Sequence, residues 1–216
     1  DLRSPIGTLQ MLFNTLLASL DSEKIGEENV EMLNMGNDIA ENTFILLDNL
    51  LKWTKCQIGK MNTVYQDADL AEVVLFSSKI LELVAKTKGI TIEFDVQGPI
   101  PVRCDVDMVK TIMRNLLSNA IKFSPDNSTI TLETTEKNGK IFVSVKDHGI
   151  GIPKASLQKI WERFYKIDRS RGKDQKGTGL GLAIVKEILH AHGQHINVIS
   201  TEGVGTEFIF TLEKAK

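Results

Sequence analysis

From Leu2 the apolar positions fall at Leu2, Ile6, Leu9, Phe13, Leu16 and Leu20. Steps of four and three in alternation predict a helix that carries a packed seam rather than a merely amphipathic surface. Leu12 and Leu17 widen the stripe, residues 4–20 contain no charge, and Asp21, Ser22 and Gly26 then mark a turn. A second helical pattern runs from about Glu27 to Met61 and carries two adjoining stripes. One holds Val30, Leu33, Ala40, Phe44, Leu47 and Leu51; the other holds Met32, Met35, Ile39, Leu46, Leu50 and Trp53. Two stripes on one helix call for two partners. A hairpin that pairs with a second copy into a four-helix bundle satisfies both, and packing on the rest of the same chain is the alternative.

From Asp67 the texture changes. Asp69 is placed to cap a helix from Leu70 to about Lys88, which Gly89 stops. Ile90 to Val96 alternates as a strand, and Ile100 to Cys104 forms a second, shorter one after Gly98-Pro99. Asp105 or Asp107 opens a helix that runs through Phe123 and closes at Ser124-Pro125. Thr129 to Thr135 and Lys140 to Lys146 alternate around Asn138-Gly139, a strong two-residue hairpin signal. A short helix is expected after Pro153, then a polar loop, then a helix from about Leu180 to His192 that Gly193 ends. Ile196 to Ser200 and Thr206 to Leu212 pair as a last hairpin. The whole reads as α+β. A helical hairpin over 1–62 precedes a two-layer α/β sandwich over 67–216, with helices on one face of a mixed sheet.

Composition narrows the class. A chain of 216 residues buries roughly 70% of its unfolded surface, so folding needs neither disulfide nor metal. A net charge of -2 argues against nucleic acid as a partner, which selects clearly basic chains. Cys56 and Cys104 form no C-x-x-C pair and suit a reducing compartment. No run of about 18 apolar residues is present, so no membrane contact is expected of this segment, which reads as cytoplasmic.

Three clusters carry candidate chemistry. In Asp147-His148-Gly149-Ile150-Gly151-Ile152-Pro153 a strand-end carboxylate is followed by two glycines. Such a turn lets backbone approach a flat ligand while the carboxylate accepts its amino hydrogen, although a plain Asp-Gly turn has the same sequence. In Lys176-Gly177-Thr178-Gly179-Leu180-Gly181-Leu182 three glycines at every second position run into a helix. Bare amides and a positive helix N-terminus suit phosphates, but the spacing is neither the P-loop nor the dinucleotide fingerprint. On the helix through Phe123, Asn115, Asn119 and Lys122 share one face. Two amides and an ammonium there suit a metal-bound phosphate, with a solvated polar face as the alternative. Between the glycine clusters, Arg163 to Lys176 holds six basic and two acidic residues, a local charge of +4 that leaves -6 elsewhere. A basic loop beside a phosphate site has the character of a lid over a polyanion. His190, His192 and His195 point apart at their spacing and are not expected to bind a metal.

Taken in order, Asn115 to Phe123, Asp147 to Pro153, Arg163-Phe164-Tyr165 and Gly177 to Leu182 resemble the N, G1, F and G2 boxes of sensor histidine kinases. The opening Asp1-Leu2-Arg3-Ser4-Pro5-Ile6 resembles their H-box, entered one residue late. Each box alone is weak; five in this order are specific. The resemblance covers nearly the whole chain, as a dimerisation and phosphoacceptor hairpin followed by a GHKL-type (Bergerat) ATP-binding domain.

The resemblance implies ATP and Mg²⁺ as cofactors. Asp147 would accept from the adenine amino group with Thr206 nearby, and Gly149 and Gly151 would make room for the base. Asn119 would ligate Mg²⁺, with Asn115 and Lys122 helping to hold the phosphates. Lys176, Gly177, Thr178, Gly179, Leu180, Gly181 and Leu182 would wrap them, and Phe164 with Arg169 and Arg171 would order the lid. The reaction implied is γ-phosphoryl transfer to an imidazole, then relay to an aspartate on a response-regulator receiver domain. In the family the acceptor histidine directly precedes the residue matched by Asp1, and none of the four histidines here lies in that context. Asp1 would be the base or orienting carboxylate for that histidine. Ser4 stands where the family more often carries Thr or Asn. This chain alone is therefore expected to bind ATP as a homodimer without phosphorylating itself, and a longer parent anchored to a membrane upstream is compatible with the family. Two other readings differ in class: a non-catalytic ATP-binding dimeric scaffold, and an ATPase of the gyrase, mismatch-repair or chaperone type. The bundle-like hairpin argues against the last.

Overall fold

The computed structural model describes residues 63–94, 98–167 and 178–215, together with residues 7, 8, 11–13, 15, 16, 33, 36, 40 and 43. The isolated early positions are all helical. A Cβ on Gly36 would lie 2.7 Å from the Phe13 ring, so the two helical stretches approach closely there.

Strand β1 (Gln66–Asp69) leads into helix α1 (Leu70–Thr87). The Asp69 carboxylate accepts from the Ala71 N–H at 2.9 Å and also from the Ile100 N–H at 2.8 Å, so one side chain caps the helix and ties it to the next connection. Gly89, at φ +65°, ends it as expected. Strands β2 (Thr91–Phe94) and β3 (Pro101–Cys104) follow, then helix α2 (Val106–Phe123). Asp105 caps α2 by accepting from the Met108 N–H at 3.1 Å. Strands β4 (Thr129–Lys137) and β5 (Lys140–Asp147) turn at Asn138 and Gly139, both with positive φ, the backbone that a two-residue type I′ hairpin requires. The helix expected after Pro153 is instead two single 3₁₀ turns, Lys154–Ser156 and Lys159–Trp161. Helix α3 (Gly181–Ala191) and the hairpin of β6 (Ile196–Thr201) and β7 (Gly205–Lys214) complete the domain.

The sheet order is β1-β3-β7-β5-β4-β2, with β6 also paired to β7. All pairs are antiparallel except β2 with β4, so the sheet is mixed, as expected. Alternation gives it one apolar face: Ile130, Leu132, Ile141, Val143, Val145, Phe208, Phe210 and Leu212 are buried with Val109, Ile112, Met113, Leu116 and Leu117 of α2 and Ile184, Val185, Ile188 and Leu189 of α3. The two-layer α+β reading holds. Cys104 is fully buried in this core, where desolvation first and Asp105 second push its thiol up to about 11, so it is an inert packing group. Cys56 lies outside the described residues.

The chain enters the sandwich on a fixed anchor. The Val64 N–H donates to the second Asp105 oxygen at 3.0 Å, and the Tyr65 ring meets His192 edge-on with centroids 5.5 Å apart. His192 is buried with both ring nitrogens engaged. Its Nδ1 lies 2.8 Å from the Ile188 carbonyl, and its Nε2 accepts from the Asp105 N–H at 3.1 Å. A carbonyl can only accept and an amide N–H only donate, so the ring proton sits on Nδ1. No helix among the described residues is long and apolar enough to cross a membrane.

Candidate functional site

The site begins where the apolar face of the sheet runs out. Val145, Phe208 and Val198 stand opposite one another across β5, β7 and β6; the first two belong to the core and Val198 packs against it. Two residues further along the same face the row becomes Asp147, Thr206 and Ser200. Three hydrophobes are thus succeeded by a carboxylate and two hydroxyls on the helix-facing side.

Asp147 is only 7% exposed. Its Oδ1 accepts from the Gly149 N–H at 2.8 Å and the Thr206 N–H at 3.2 Å, and Oδ2 has no partner among the described residues. Burial raises its carboxyl above the usual carboxylate value; the two N–H donors and His148 pull the other way and do not overcome it. The arrangement is a buried carboxylate with one oxygen fixed by the backbone and the other left as an acceptor. Gly149 is required by space: a Cβ there would sit 2.5 Å from the Phe123 carbonyl and 2.9 Å from Asp147 Oδ1. Gly151 is required by its backbone, at φ +66°.

The second wall is the C-terminal half of α2. Asn115, Asn119 and Lys122 are half-buried along one face, as their spacing predicted. The Asn115 amide donates to the Thr111 carbonyl at 2.8 Å, and its oxygen faces Gly181. That oxygen would lie 2.7 Å from a Cβ on Gly181, so the start of α3 packs on the Asn115 side chain with no room for a side chain of its own at 181. The side chain of Asn119 makes no hydrogen bond among the described residues. Helices α1 and α2 are capped by aspartates, whereas α3 has no side-chain cap, so its first N–H groups are left for another acceptor. The Phe164 N–H donates to the Gly179 carbonyl at 3.0 Å, which joins the Arg163-Phe164-Tyr165 segment to the glycine run. The side chain of Leu180 is 1% exposed and belongs to the core, so only its backbone can face a ligand. Just before the helix, the Thr178 hydroxyl accepts from the Leu180 N–H at 3.2 Å.

Asp147, Gly149, Gly151 and Thr206 are therefore brought together at one end. Asn115 meets Gly181, Gly179 is joined to Phe164, and Leu182 lies in the first turn of α3. Asp1, Ser4, Arg169, Arg171, Lys176 and Gly177 lie outside the described residues. Sequence reasoning missed Lys88. Its Nζ donates to the carbonyls of Ile121 at 2.8 Å, Lys122 at 3.3 Å and Ser124 at 2.7 Å, closing the C-terminus of α2 with a positive charge. The Phe123 carbonyl, between those partners, accepts from the Ile150 N–H at 3.2 Å. Lys88 thus holds the helix end on which the Asp147 loop rests. The only signal was a basic residue at a helix stop, which has many other uses.

Residues 104–216, more than half of the chain, match the family of histidine kinase-, DNA gyrase B- and HSP90-like ATPases. Over 98% of its length the chain is 34% identical to the sensor histidine kinase WalK of Bacillus subtilis (strain 168), of which it covers 35%. It is 29% identical, again over 98% of its length, to the sensor-like histidine kinase SenX3 of Mycolicibacterium smegmatis, of which it covers 54%. The chain thus spans about a third to about a half of these relatives. Among solved structures, the catalytic domain of the histidine kinase ThkA in a nucleotide-free form matches 70% of this chain and 96% of its own at TM-score 0.62 and 27% identity. Full-length ShkA in complex with AMPPNP shares the fold over 99% of this chain and 44% of its own, at TM-score 0.80 and 24% identity. With this sheet, a buried carboxylate at its end, an uncapped helix start and these relatives, the chain belongs to the family of histidine kinase-, DNA gyrase B- and HSP90-like ATPases, on the sensor histidine kinase branch.

Proposed function

We propose that residues 67–216 bind Mg-ATP as the catalytic domain of a two-component sensor. Its γ-phosphoryl goes to a histidine expected immediately before Asp1, and from there to an aspartate of a response-regulator receiver domain. Residues 1–62 form the dimerisation and phosphoacceptor hairpin. The observation that carries the reading is Asp147, a buried carboxylate with one oxygen clamped by two backbone N–H groups and the other without a partner among the described residues. A neutral amide would satisfy the clamp equally well, so the retained charge points to a ligand donor such as the adenine amino group.

The residues present fit a metal-bound triphosphate. Asn119 offers an unengaged amide oxygen of the hard type that Mg²⁺ prefers, and Gly181 leaves open the space that a Cβ would take beside Asn115. Bound there, Mg²⁺ would supply charge neutralisation for the phosphates. This chain's own residues position the nucleotide: Asp147 with Thr206 holds the base, Asn115 and Lys122 the phosphates, and the amides from Gly177 to Leu182 the anionic tail. Phe164, Arg169 and Arg171 order the basic loop over it. Catalysis in such a site is mostly orientation and charge stabilisation. Asp1 orients or deprotonates the acceptor imidazole, and Ser4 stands three residues after it.

Dimerisation is supported by the first helix. Met11, Leu12 and Leu16 are 64%, 54% and 44% exposed, an apolar surface that a single hairpin leaves open to water. The test is a chain extended by a histidine before Asp1 and incubated with γ-labelled ATP. Acid-labile, alkali-stable label on that histidine is expected. Absence of label while the nucleotide is bound refutes transfer and leaves an ATP-binding scaffold.

A further inference from the structure

Ser200 belongs to none of the boxes, yet it makes more polar contacts than any residue around Asp147. Its Oγ lies 2.9 Å from the Ile152 nitrogen, 2.9 Å from the Gly205 carbonyl oxygen and 2.9 Å from Thr206 Oγ1. The polarity of two of these partners is fixed by chemistry. The Ile152 N–H can only donate, and the Gly205 carbonyl can only accept. A serine hydroxyl has one proton, which therefore goes to Gly205. The contact between the two hydroxyls is then a hydrogen bond only if Thr206 is its donor. A single proton arrangement satisfies all three contacts: Ile152 N–H to Ser200, Ser200 O–H to Gly205, and Thr206 O–H to Ser200.

This spends the Thr206 proton on the protein side and leaves its oxygen with lone pairs alone. Asp147 and Thr206 stand directly opposite each other on β5 and β7, and Ser200 opposite Thr206 on β6, so all three side chains lie in one row on one face. With Oδ1 of Asp147 occupied by two N–H groups, the row presents Oδ2 and the Thr206 oxygen, both acceptors. We infer that Ser200 is a positioning residue for base specificity. By taking the Thr206 proton it makes this row accept hydrogen bonds only, which suits the exocyclic amino group of an amino-purine and opposes the oxo group of a 6-oxo-purine. The inference rests on the nucleotide reading above. It adds that discrimination between the two purine classes is set partly from a residue that does not touch the base.

The test compares ATP with inosine triphosphate, which carries a 6-oxo group in place of the 6-amino group. Dissociation constants are measured by calorimetry for the parent, Ser200→Ala, Thr206→Val and the double variant. With Ser200 removed, the Thr206 hydroxyl is free to turn and donate to an oxo group. Ser200→Ala is expected to shrink the preference for ATP over inosine triphosphate by about three- to tenfold, the scale of one hydrogen bond. In the Thr206→Val background the same substitution is expected to leave the preference unchanged, because Ser200 acts through that hydroxyl. Ser200→Thr, which keeps a hydroxyl, retains the parental preference. Ser200→Cys, which fills the space with a weakly bonding sulfur, covers loss of folding in the alanine variant and is expected to behave like it. An unaltered preference in Ser200→Ala and Ser200→Cys, or an equal change in the Thr206→Val background, overturns the role of Ser200 while ATP binding stands. A parent that binds neither nucleotide overturns the nucleotide reading itself.

Discussion

Replacing Asp147 by asparagine separates ligand binding from folding, because the two respond in opposite directions. An asparagine carbonyl placed at Oδ1 keeps both N–H donors, from Gly149 and Thr206. What changes is Oδ2, an anionic acceptor that becomes an amide donor. Against an amino group this loses one charge-assisted hydrogen bond, about 1.5–3 kcal/mol, so nucleotide affinity should fall roughly ten- to hundredfold. Folding has no such reason to suffer. The carboxyl of Asp147 lies above its ordinary value chiefly because burial disfavours its charge. A carboxyl with its folded pKa above its unfolded one holds a proton in the native state over a pH window where the unfolded chain has released it. Its charge therefore destabilises the fold at neutral pH, and the penalty is relieved as pH falls through the folded pKa. Asp147→Asn should match or exceed the parent in thermal stability at neutral pH, and that advantage should shrink as the solution is acidified. Adenosine affinity of the parent should move the other way, weakening on acidification because a protonated carboxyl no longer accepts at both oxygens, while the asparagine variant shows no such dependence. Scanning calorimetry without ligand and titration calorimetry with adenosine, which has no titrating phosphate, read the two effects separately. Unchanged adenosine affinity in Asp147→Asn refutes the assignment of the base site, and affinity and stability falling together refute the claim that the charge is retained for a ligand.

Two further substitutions probe the rest of the site. Lys88→Met keeps the aliphatic stem and removes the ammonium from three carbonyls at the end of α2; urea denaturation should show a loss of about 1–3 kcal/mol, with partial recovery in Lys88→Arg, and a loss below about 0.5 kcal/mol contradicts the role. Gly181→Ala puts a methyl 2.7 Å from the movable end of Asn115, so the amide must swing away while the helix gains a better helix former; Mg-ATP should bind several-fold more weakly by calorimetry, with adenosine affinity and thermal midpoint unchanged, and a parallel loss for adenosine speaks against a separate phosphate side.

The elements that could be read along the chain are those whose determinants are local. Asp69 and Asp105 cap the helices they precede, Asn138-Gly139 supplies the two positive φ angles of its hairpin, and period-two alternation marks β4, β5 and β7. Strand β1 was not legible. Its sequence, Gln-Asp-Ala-Asp, has no β-branched or aromatic residue, and it is a strand because the edge of β3 pairs with it. The single 3₁₀ turns after Pro153 fall short of the expected helix for a related reason: the six residues between Pro153 and Ile160 are too few to nucleate one, and packing of Ile160 and Trp161 decides the backbone instead.

The site divides along the same line. Asp147, the glycines and the Asn115 face show in sequence because each needs its residue type for its own backbone or spacing. Lys88 reaches partners 33 to 36 residues away, and Ser200 reaches Ile152 across 48, so their roles exist only once the strands are in register. That register is also what makes the site. Moving β7 by one residue against β5 would turn Thr206 to the open face and put Gly205 or Glu207 opposite Asp147. The hydrophobes Val145, Phe208 and Val198 forbid the slip, since it would expose Phe208 together with the rest of its row. The apolar rows therefore hold the polar row in line, and the positions of Asp147, Thr206 and Ser200 follow from the same packing that folds the sheet.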